Sequence, residues 1–305
     1  MFPPGDDPQE ARLMRSLLFV PGDSGRKLEK AFSAGADVVI VDLEDSVAPP
    51  NKAPARERAA EFVGARPAGG PIVYVRVNGL TTEYLDDDIA AVVAARPDGI
   101  MLPKAQGGSD VQHLSLKLRV AEIENGLPDG GLKIIPIVTE TGLATLSTAT
   151  YANCSARLSA LTWGAEDLSA ALGARTARDE HGRYTDVFRY ARAVTLLAAS
   201  ASDVAAIDTV GVDFRDLDAL RAECLEAERD GFTGKLAIHP AQVPVINEVF
   251  TPSPDAVAQA EALVAAFAAA GNPGVIGFDG RMFDIPHLKR AQRLLARVRT
   301  AAARA

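Results

Sequence analysis

From residue 16 onward, short apolar runs alternate with amphipathic stretches. The runs Ser16–Val20, Val38–Asp42, Ile72–Arg76, Gly99–Leu102, Lys133–Val138, Leu158–Trp163, Val204–Ala206 and Lys235–Ile238 read as strands. They are continuously apolar, which is the pattern of parallel strands covered on both faces. Helical periodicity predicts helices near Lys27–Ala34, Ala53–Val63, Asp86–Ala95, Ser109–Glu124, Ala144–Ala152, Tyr184–Ala201 and Asp216–Asp230. Eight strands in strict βα order over about 240 residues predict a (β/α)8 TIM barrel. A doubly wound open sheet is the competing α/β fold, but no Gly-x-Gly-x-x-Gly follows the first strand.

After Ile238 the pattern changes. Val243–Phe250 reads as a helix that closes the barrel, and Pro252-Ser253-Pro254 breaks it. Asp255–Ala270 is an Ala-rich helix, Gly271–Gly280 a Gly-rich linker and Pro286–Ala303 a basic amphipathic helix. The expected organisation is a loose arm over 1–14, a catalytic barrel over 15–250 and a C-terminal helical extension over 251–305. That extension reads as a clamp on the barrel or as a lid swapped onto a neighbouring chain.

Polar residues follow nearly every run: Asp42-Leu43-Glu44-Asp45, Arg76-Val77-Asn78, Pro103-Lys104, Glu140, Glu166-Asp167, Asp208 and His239-Pro240. Barrel active sites sit at the C-terminal ends of the strands, so this set is expected to converge on one rim. Two motifs stand out, about a quarter-turn of a barrel apart. Glu140 ends Ile135-Pro136-Ile137-Val138-Thr139, and Asp167 follows Leu161-Thr162-Trp163-Gly164. Two buried strands that each deliver one carboxylate to the same end make a site for a hard divalent ion, Mg2+ or Mn2+. An ion held by only two carboxylates keeps positions for a substrate's oxygens.

Composition narrows the function. The chain has 305 residues, 48% hydrophobic and 24% charged, with a net charge of -8. An acidic chain without a basic cluster argues against nucleic acid and against anionic membranes. Two cysteines, Cys154 and Cys224, imply no disulfide framework and fit a reducing cytosol. No run reaches transmembrane length, and Met1–Met14 lacks the apolar core of a signal peptide. No His/Cys spacing suggests zinc; His113, His181 and His287 read as surface residues and His239 as a hydrogen-bonder on the rim.

Eight motifs then follow in order. They are Arg15-Ser16-x-x-Phe19-Val20-Pro21-Gly22, Asp42-Leu43-Glu44-Asp45-Ser46-Val47, Val75-Arg76-Val77-Asn78, Leu102-Pro103-Lys104, Glu140-Thr141-Gly142, Trp163-Gly164-x-Glu166-Asp167-Leu168, Ile238-His239-Pro240-x-Gln242 and Gly280-Arg281-Met282-x-Asp284. Across about residues 15 to 295 the chain resembles the CitE-like branch of the HpcH/HpaI aldolase/citrate lyase superfamily. The resemblance implies a Mg2+-dependent barrel that makes or breaks a carbon–carbon bond between an acyl-thioester enolate and a 2-oxo acid. It also implies a homotrimer or hexamer in which the C-terminal segment covers a neighbour's active site.

Each residue then has an expected role. Glu140 and Asp167 are the metal ligands, sharing the ion with the 2-oxo acid's oxygens. Arg76, a planar and permanently charged fork, stabilises an oxyanion or pairs with Glu44 or Asp45. Arg76, Glu44, Asp45 and Glu166 are the candidate substrate-binding residues. Glu44 and Asp45 would orient Arg76, Lys104 or a metal-bound water. Asp284 matches the acid of the family's Met-x-Asp motif, which moves the proton at the thioester α-carbon; the alternative is an N-cap ahead of Ile285-Pro286. As a catalyst it would need a carboxyl pKa raised by a dry lid. Phe283 stands where the family often has an aliphatic residue. Phe19, Arg26 and Lys30 match the family's CoA contacts, as an adenine shelf and phosphate-binding cations.

Overall fold

The computed structural model describes residues 13–302. The arm expected over 1–14 lies almost wholly outside the described residues. Met14–Phe250 forms one compact unit, and the chain from Thr251 onward belongs to a second.

In the first unit the apolar runs form β1 (Ser16–Pro21), β2 (Val38–Asp42), β3 (Ile72–Arg76), β4 (Gly99–Leu102), β5 (Lys133–Pro136), β6 (Ala160–Thr162), β7 (Ala205–Asp208) and β8 (Gly234–Ala237). They pair in parallel in the order β5-β4-β3-β2-β1-β8-β7-β6. Between β5 and β6 the ring closes through two isolated parallel bridges, Ile134 to Leu158 and Ile137 to Thr162. A backbone hydrogen bond from Val138 N–H to the Thr162 carbonyl, 2.9 Å, reinforces the closure. The fold is therefore the expected barrel. Because β5 and β6 are neighbours, the two acidic motifs stand on adjacent strands, one-eighth of a turn apart and not a quarter.

The helices are α1 (Gly25–Ala31), α2 (Lys52–Gly64), α3 (Leu85–Val93), α4 (Gly108–Glu124), α5 (Gly142–Leu146), α6 (Ala165–Leu172), α7 (Asp186–Ala201), α8 (Leu217–Asp230) and α9 (Val243–Phe250). Strand side chains alternate between two cores. Leu17, Val38, Ile40, Tyr74, Met101, Ile135 and Leu236 fill the barrel interior. Leu18, Val39, Val75, Leu102, Ile134 and Leu161 point outward onto the helices. Full burial of each such side chain contributes ~1.5–3 kcal/mol. Gly99 is required inside the barrel: a Cβ there would lie 2.4 Å from both the Lys133 carbonyl and the Tyr74 ring.

The same alternation corrects one expectation. The polar residues at the strand exits do not all converge on the rim. Asn78 and Asp208 are buried, and both bond outward. Asn78 pairs with Lys52 and Asp88 of the neighbouring helices, and Asp208 with Trp163, Arg192 and Lys235. Asp208 lies two positions beyond the outward-facing Ala206 and so faces outward too, whatever its polarity, whereas Asn78 lies past the end of β3, where strand alternation no longer holds.

The second unit holds α10 (Pro254–Ala269), β9 (Val275–Phe278), β10 (Arg281–Asp284) and α11 (Ile285–Ala302). Where a Gly-rich linker is expected, β9 and β10 form an antiparallel hairpin. Asp279 and Gly280 turn it with φ of 48° and 71°, the conformation a two-residue Asp-Gly turn favours. Leu263, Phe267 and Leu288 make a small core with Ile276, Phe278 and Phe283 of the hairpin.

Candidate active site

Asp42 and Arg76 are register partners at the ends of β2 and β3. They follow the inward-facing Ile40 and Tyr74 and so crown the barrel interior. Arg76 donates Nε to Asp42 Oδ1 at 2.7 Å and Nη2 to Oδ2 at 2.6 Å. Its Nη1 lies 3.1 Å from Glu44 Oε2, off the hydrogen-bond direction. The Phe19 ring lies 4.8 Å from the guanidinium carbon. Asp42 also accepts backbone N–H bonds from Glu44 and Ser46, at 2.9 and 3.2 Å, which wraps the β2–α2 turn around it. Burial pushes the Asp42 carboxyl up, but Arg76's hydrogen bonds and charge outweigh it and hold the group below the usual range. Burial likewise opposes charge on Arg76, and Asp42 reverses that, so the guanidinium stays a fixed cation.

Next around the rim is Lys104, two residues past β4. Its φ of 55° puts it in the left-handed region, uncommon outside glycine and concentrated at functional sites. In that conformation its backbone N–H donates to Glu140 Oε2, while its ammonium meets Glu44, Asp45 (2.9 Å) and Asp167 (3.5 Å). One residue therefore touches four carboxylates. Their effect raises its own pKa, even though burial works to lower it. Burial pushes Glu44 up, against the pull of Arg76 and Lys104.

Glu140 lies four residues past β5 and is 2% exposed. Burial, and then the like charge of Asp167, drives its carboxyl well above the ordinary value. Asp167 is not carried by a strand. It lies in the first turn of α6, a helix the periodicity did not predict, with Glu166 beside it. Acidic residues suit a helix N-terminus, where backbone N–H groups point outward. Gly164, between β6 and α6, presses on Glu140: a Cβ there would come within 2.8 Å of its Cγ.

These groups surround one cavity of about 920 Å3. Asp42, Asp45, Arg76, Glu140, Glu166 and Asp167 line it. Phe19, Arg26 and Lys30 line it too, as do Lys27 and His239. Phe19 backs Arg76, while Arg26, Lys27 and Lys30 are exposed cations along α1. Of the partners expected for Arg76, Glu44 is beside it and Asp45 bonds to Lys104 instead. His239 accepts a hydrogen bond from Ala241 N–H at 3.1 Å and stacks on Phe214 at 4.6 Å.

Asp284 belongs to the second unit, at the end of β10. Its side chain is 50% exposed and accepts a hydrogen bond from His287 Nδ1–H; in the other tautomer the same nitrogen accepts instead from the Asp284 backbone N–H, 3.3 Å away. The second contact is half of a helix capping box. In this half-exposed setting the His287 hydrogen bond lowers the Asp284 carboxyl, whereas the raised value that catalysis requires belongs to a dry, covered site.

Two residues matter here beyond those singled out from the sequence. Asp42 holds Arg76, and Lys104 holds the carboxylates. Both stood in quoted motifs at strand exits. The signal for Lys104 was its place after Pro103, but a left-handed backbone is not readable from a non-glycine residue.

The donor set fits a divalent ion. Glu140 and Asp167 offer only oxygen, burial and then the like charge of Asp167 raise the Glu140 carboxyl, and both line a cavity open to ligand. No group of three His, Cys, Asp or Glu side chains that could hold a metal occurs among the described residues, so two carboxylates would leave coordination positions to water or substrate.

The fold and this rim of charges define an α/β-barrel enzyme with its chemistry at the strand exits. The chain belongs to the HpcH/HpaI aldolase/citrate lyase family, whose pattern matches residues 15–240. A (3S)-malyl-CoA thioesterase of Cereibacter sphaeroides is 36% identical over 298 residues, covering 96% of this chain and 98% of that one. The mitochondrial citramalyl-CoA lyase of Rattus norvegicus is 34% identical over 293 residues, covering 92% and 85%. Among solved structures, protein CitE of Mycobacterium tuberculosis in complex with magnesium, acetoacetate and coenzyme A superposes with a TM-score of 0.76. It is 33% identical, covering 94% of this chain and 98% of that one.

Proposed function

We propose that this protein is a Mg2+-dependent carbon–carbon lyase. It cleaves, or in reverse forms, a 3-hydroxy-3-carboxyacyl-CoA such as malyl-CoA or citramalyl-CoA. The products are an acyl-CoA and a 2-oxo acid, glyoxylate or pyruvate. The observation that carries the reading is that Glu140 and Asp167 share with the fixed cation Arg76 the wall of one cavity, which also bears Arg26, Lys27 and Lys30. Relatives named for malyl-CoA and citramalyl-CoA chemistry support the substrate class.

In the cleavage direction the substrate hydroxyl loses its proton and its oxygen becomes the 2-oxo carbonyl. The carbon–carbon bond breaks, and its electron pair moves into the thioester to give an enolate, which takes a proton at the α-carbon. Glu140 and Asp167 would hold Mg2+, or Mn2+, which would supply Lewis-acid stabilisation for the 2-oxo acid's oxygens. Arg76, braced by Asp42, offers its guanidinium to the developing oxyanion. Glu44, Asp45 and Glu166 set the polarity of the substrate's carboxylate end, with Lys104 holding the first two in place. Arg26 and Lys30 take the phosphates of CoA, beside Phe19. Asp284 transfers the α-carbon proton, reaching the site from a neighbouring chain of a trimer or hexamer, with residues 251–305 as lid and oligomerisation segment. The working compartment is the cytosol.

A thioesterase is the second reading, favoured by the 36%-identical relative of that name. A citrate lyase β subunit acting on a citryl thioester and a CoA-independent 2-oxo-acid aldolase remain alternatives within the family. The deciding experiment offers malyl-CoA, citramalyl-CoA and citryl-CoA with Mg2+ and follows 2-oxo acid, acyl-CoA and free CoA separately. Release of a 2-oxo acid with an acyl-CoA, abolished by EDTA and restored by Mg2+, is the expected result. Free CoA without a 2-oxo acid selects the thioesterase, and no turnover of any of the three overturns the CoA-ester reading.

A further inference from the structure

A second cluster of charges lies between the sheet and the helices, in a layer where the other strands place apolar residues. Lys235 of β8 is fully buried and makes ion pairs with Asp208 of β7 at 3.1 Å and Glu223 of α8 at 3.2 Å. Asp208, 2% exposed, also meets Arg192 of α7 at 3.3 Å and accepts the indole N–H of Trp163 at 2.7 Å. Glu223 in turn pairs with Arg178 at 2.6 Å. The Arg178 guanidinium lies over the Tyr184 ring at 3.9 Å, and Tyr184 packs edge-on against Trp163 at 5.0 Å. The circuit closes on itself. Apolar residues of similar volume would stabilise such a layer as well or better, so stability alone does not account for it.

The circuit takes in the chain on both sides of α6: Trp163 lies just before that helix, and Arg178 and Tyr184 lie in the segment after it. α6 carries Asp167, and the backbone at Gly164 runs so near Glu140 that a Cβ there would come within 2.8 Å of its Cγ. We infer that Asp208 is a positioning residue for the carboxylate pair: through the Trp163 indole it fixes the Gly164–Asp167 turn against Glu140. This rests on the reading that Glu140 and Asp167 hold the divalent ion. It gives Trp163, the one tryptophan in the chain, a role in ligand geometry as well as in packing.

The test measures Mn2+ binding to the full-length protein by electron paramagnetic resonance, alongside thermal unfolding. Trp163→Phe keeps one aromatic ring but removes the indole N–H donor together with the pyrrole part of a fully buried side chain, so its loss of packing is read against a stability-matched control. The variant is expected to weaken Mn2+ at least 10-fold while unfolding within a few degrees of wild type. Asp208→Asn in the Trp163→Phe background should add little further weakening of Mn2+, because the indole link is already gone, while its loss of charge beside Lys235 and Arg192 appears as lower thermal stability. A control that costs similar stability far from α6, Phe62→Leu in α2, should leave Mn2+ affinity within 2-fold. In wild type, Trp163 fluorescence should change on Mn2+ titration with the same midpoint. Unchanged Mn2+ affinity in Trp163→Phe, with binding lost in Asp167→Ala, overturns the positioning role and leaves the metal site standing. Undiminished binding in Asp167→Ala overturns the metal reading and this inference together.

Discussion

Arg76 and Asp42 face each other as register partners on adjacent strands and are joined by two parallel hydrogen bonds of 2.7 and 2.6 Å. Little of either charge is exposed, with the Asp42 side chain at 2% and the Arg76 side chain at 13%, so each relies on the other for most of its compensation. Arg76→Ala would leave Asp42, 1% exposed, as an uncompensated buried carboxylate. The expected cost is ~3–5 kcal/mol of stability together with loss of turnover. Arg76→Lys keeps the charge but cannot make the two-point contact, so it should keep more stability than activity. Urea unfolding and turnover of the same samples separate the two effects.

Glu140→Ala and Asp167→Ala should each abolish lyase activity with the barrel folded by circular dichroism. Glu140→Ala should not destabilise strongly, because burial and a like charge already disfavour its ionised form. Full activity in either variant removes the pair as metal ligands.

Gly99→Ala is a test of the fold away from the charges. The added Cβ would sit 2.4 Å from a backbone carbonyl and from the Tyr74 ring. Backbone cannot give way cheaply, so a loss of ~1–3 kcal/mol or more is expected. A midpoint of denaturation equal to wild type would show that the barrel interior relaxes around it.

The Glu122–Arg157 pair sets part of the acid limb of stability. Glu122 is fully buried, takes two hydrogen bonds from Arg157 at 2.7 and 2.6 Å, and accepts backbone N–H bonds from Gly130 and Leu132. Burial pushes its carboxyl up, but these bonds outweigh it and lower the folded-state pKa. A lowered carboxyl pKa means the folded state holds fewer protons than the unfolded one. The contribution is thus full above the unfolded value of about 4.3 and is lost as pH falls through the lower folded one. Glu122→Gln should flatten the decline of unfolding free energy below about pH 4. An unaltered acid limb would assign that decline to other carboxylates.

Asp284→Asn should lose turnover yet still bind the CoA ester, measured by calorimetry. Unchanged turnover would leave Asp284 as the cap of α11.

The barrel was legible because its strands are continuous apolar runs, a pattern that survives errors of a residue or two at each end. β2, β3 and β4 begin and end where their hydrophobicity does. α6 was missed because eight residues give barely two turns of periodicity, and its opening Glu166-Asp167 read as a loop. The hairpin at β9–β10 was missed because three glycines between Gly274 and Gly280 outweighed the Asp-Gly turn signal among them. At the rim, residue types were readable but directions were not. Whether Asp208 faces the cavity or the helices depends on the register of β7, and the posture of Lys104 depends on one backbone angle.

Around the ring, one junction differs from the other seven. β5 and β6 meet through isolated bridges, whereas the other neighbours share ladders. Glu140 lies just beyond one of those strands and Asp167 just beyond the other. Anything that grips both carboxylates therefore fastens the barrel at its seam. Occupancy of the site and closure of the cylinder then become a single equilibrium, and a ligand that prefers the closed form raises its resistance to unfolding by mass action. Amide protection along β5 and β6 would rise with ligand concentration more steeply than along β2 and β3. The one junction made by isolated bridges thus lies beside the proposed chemistry, where substrate and ion would themselves be the thread.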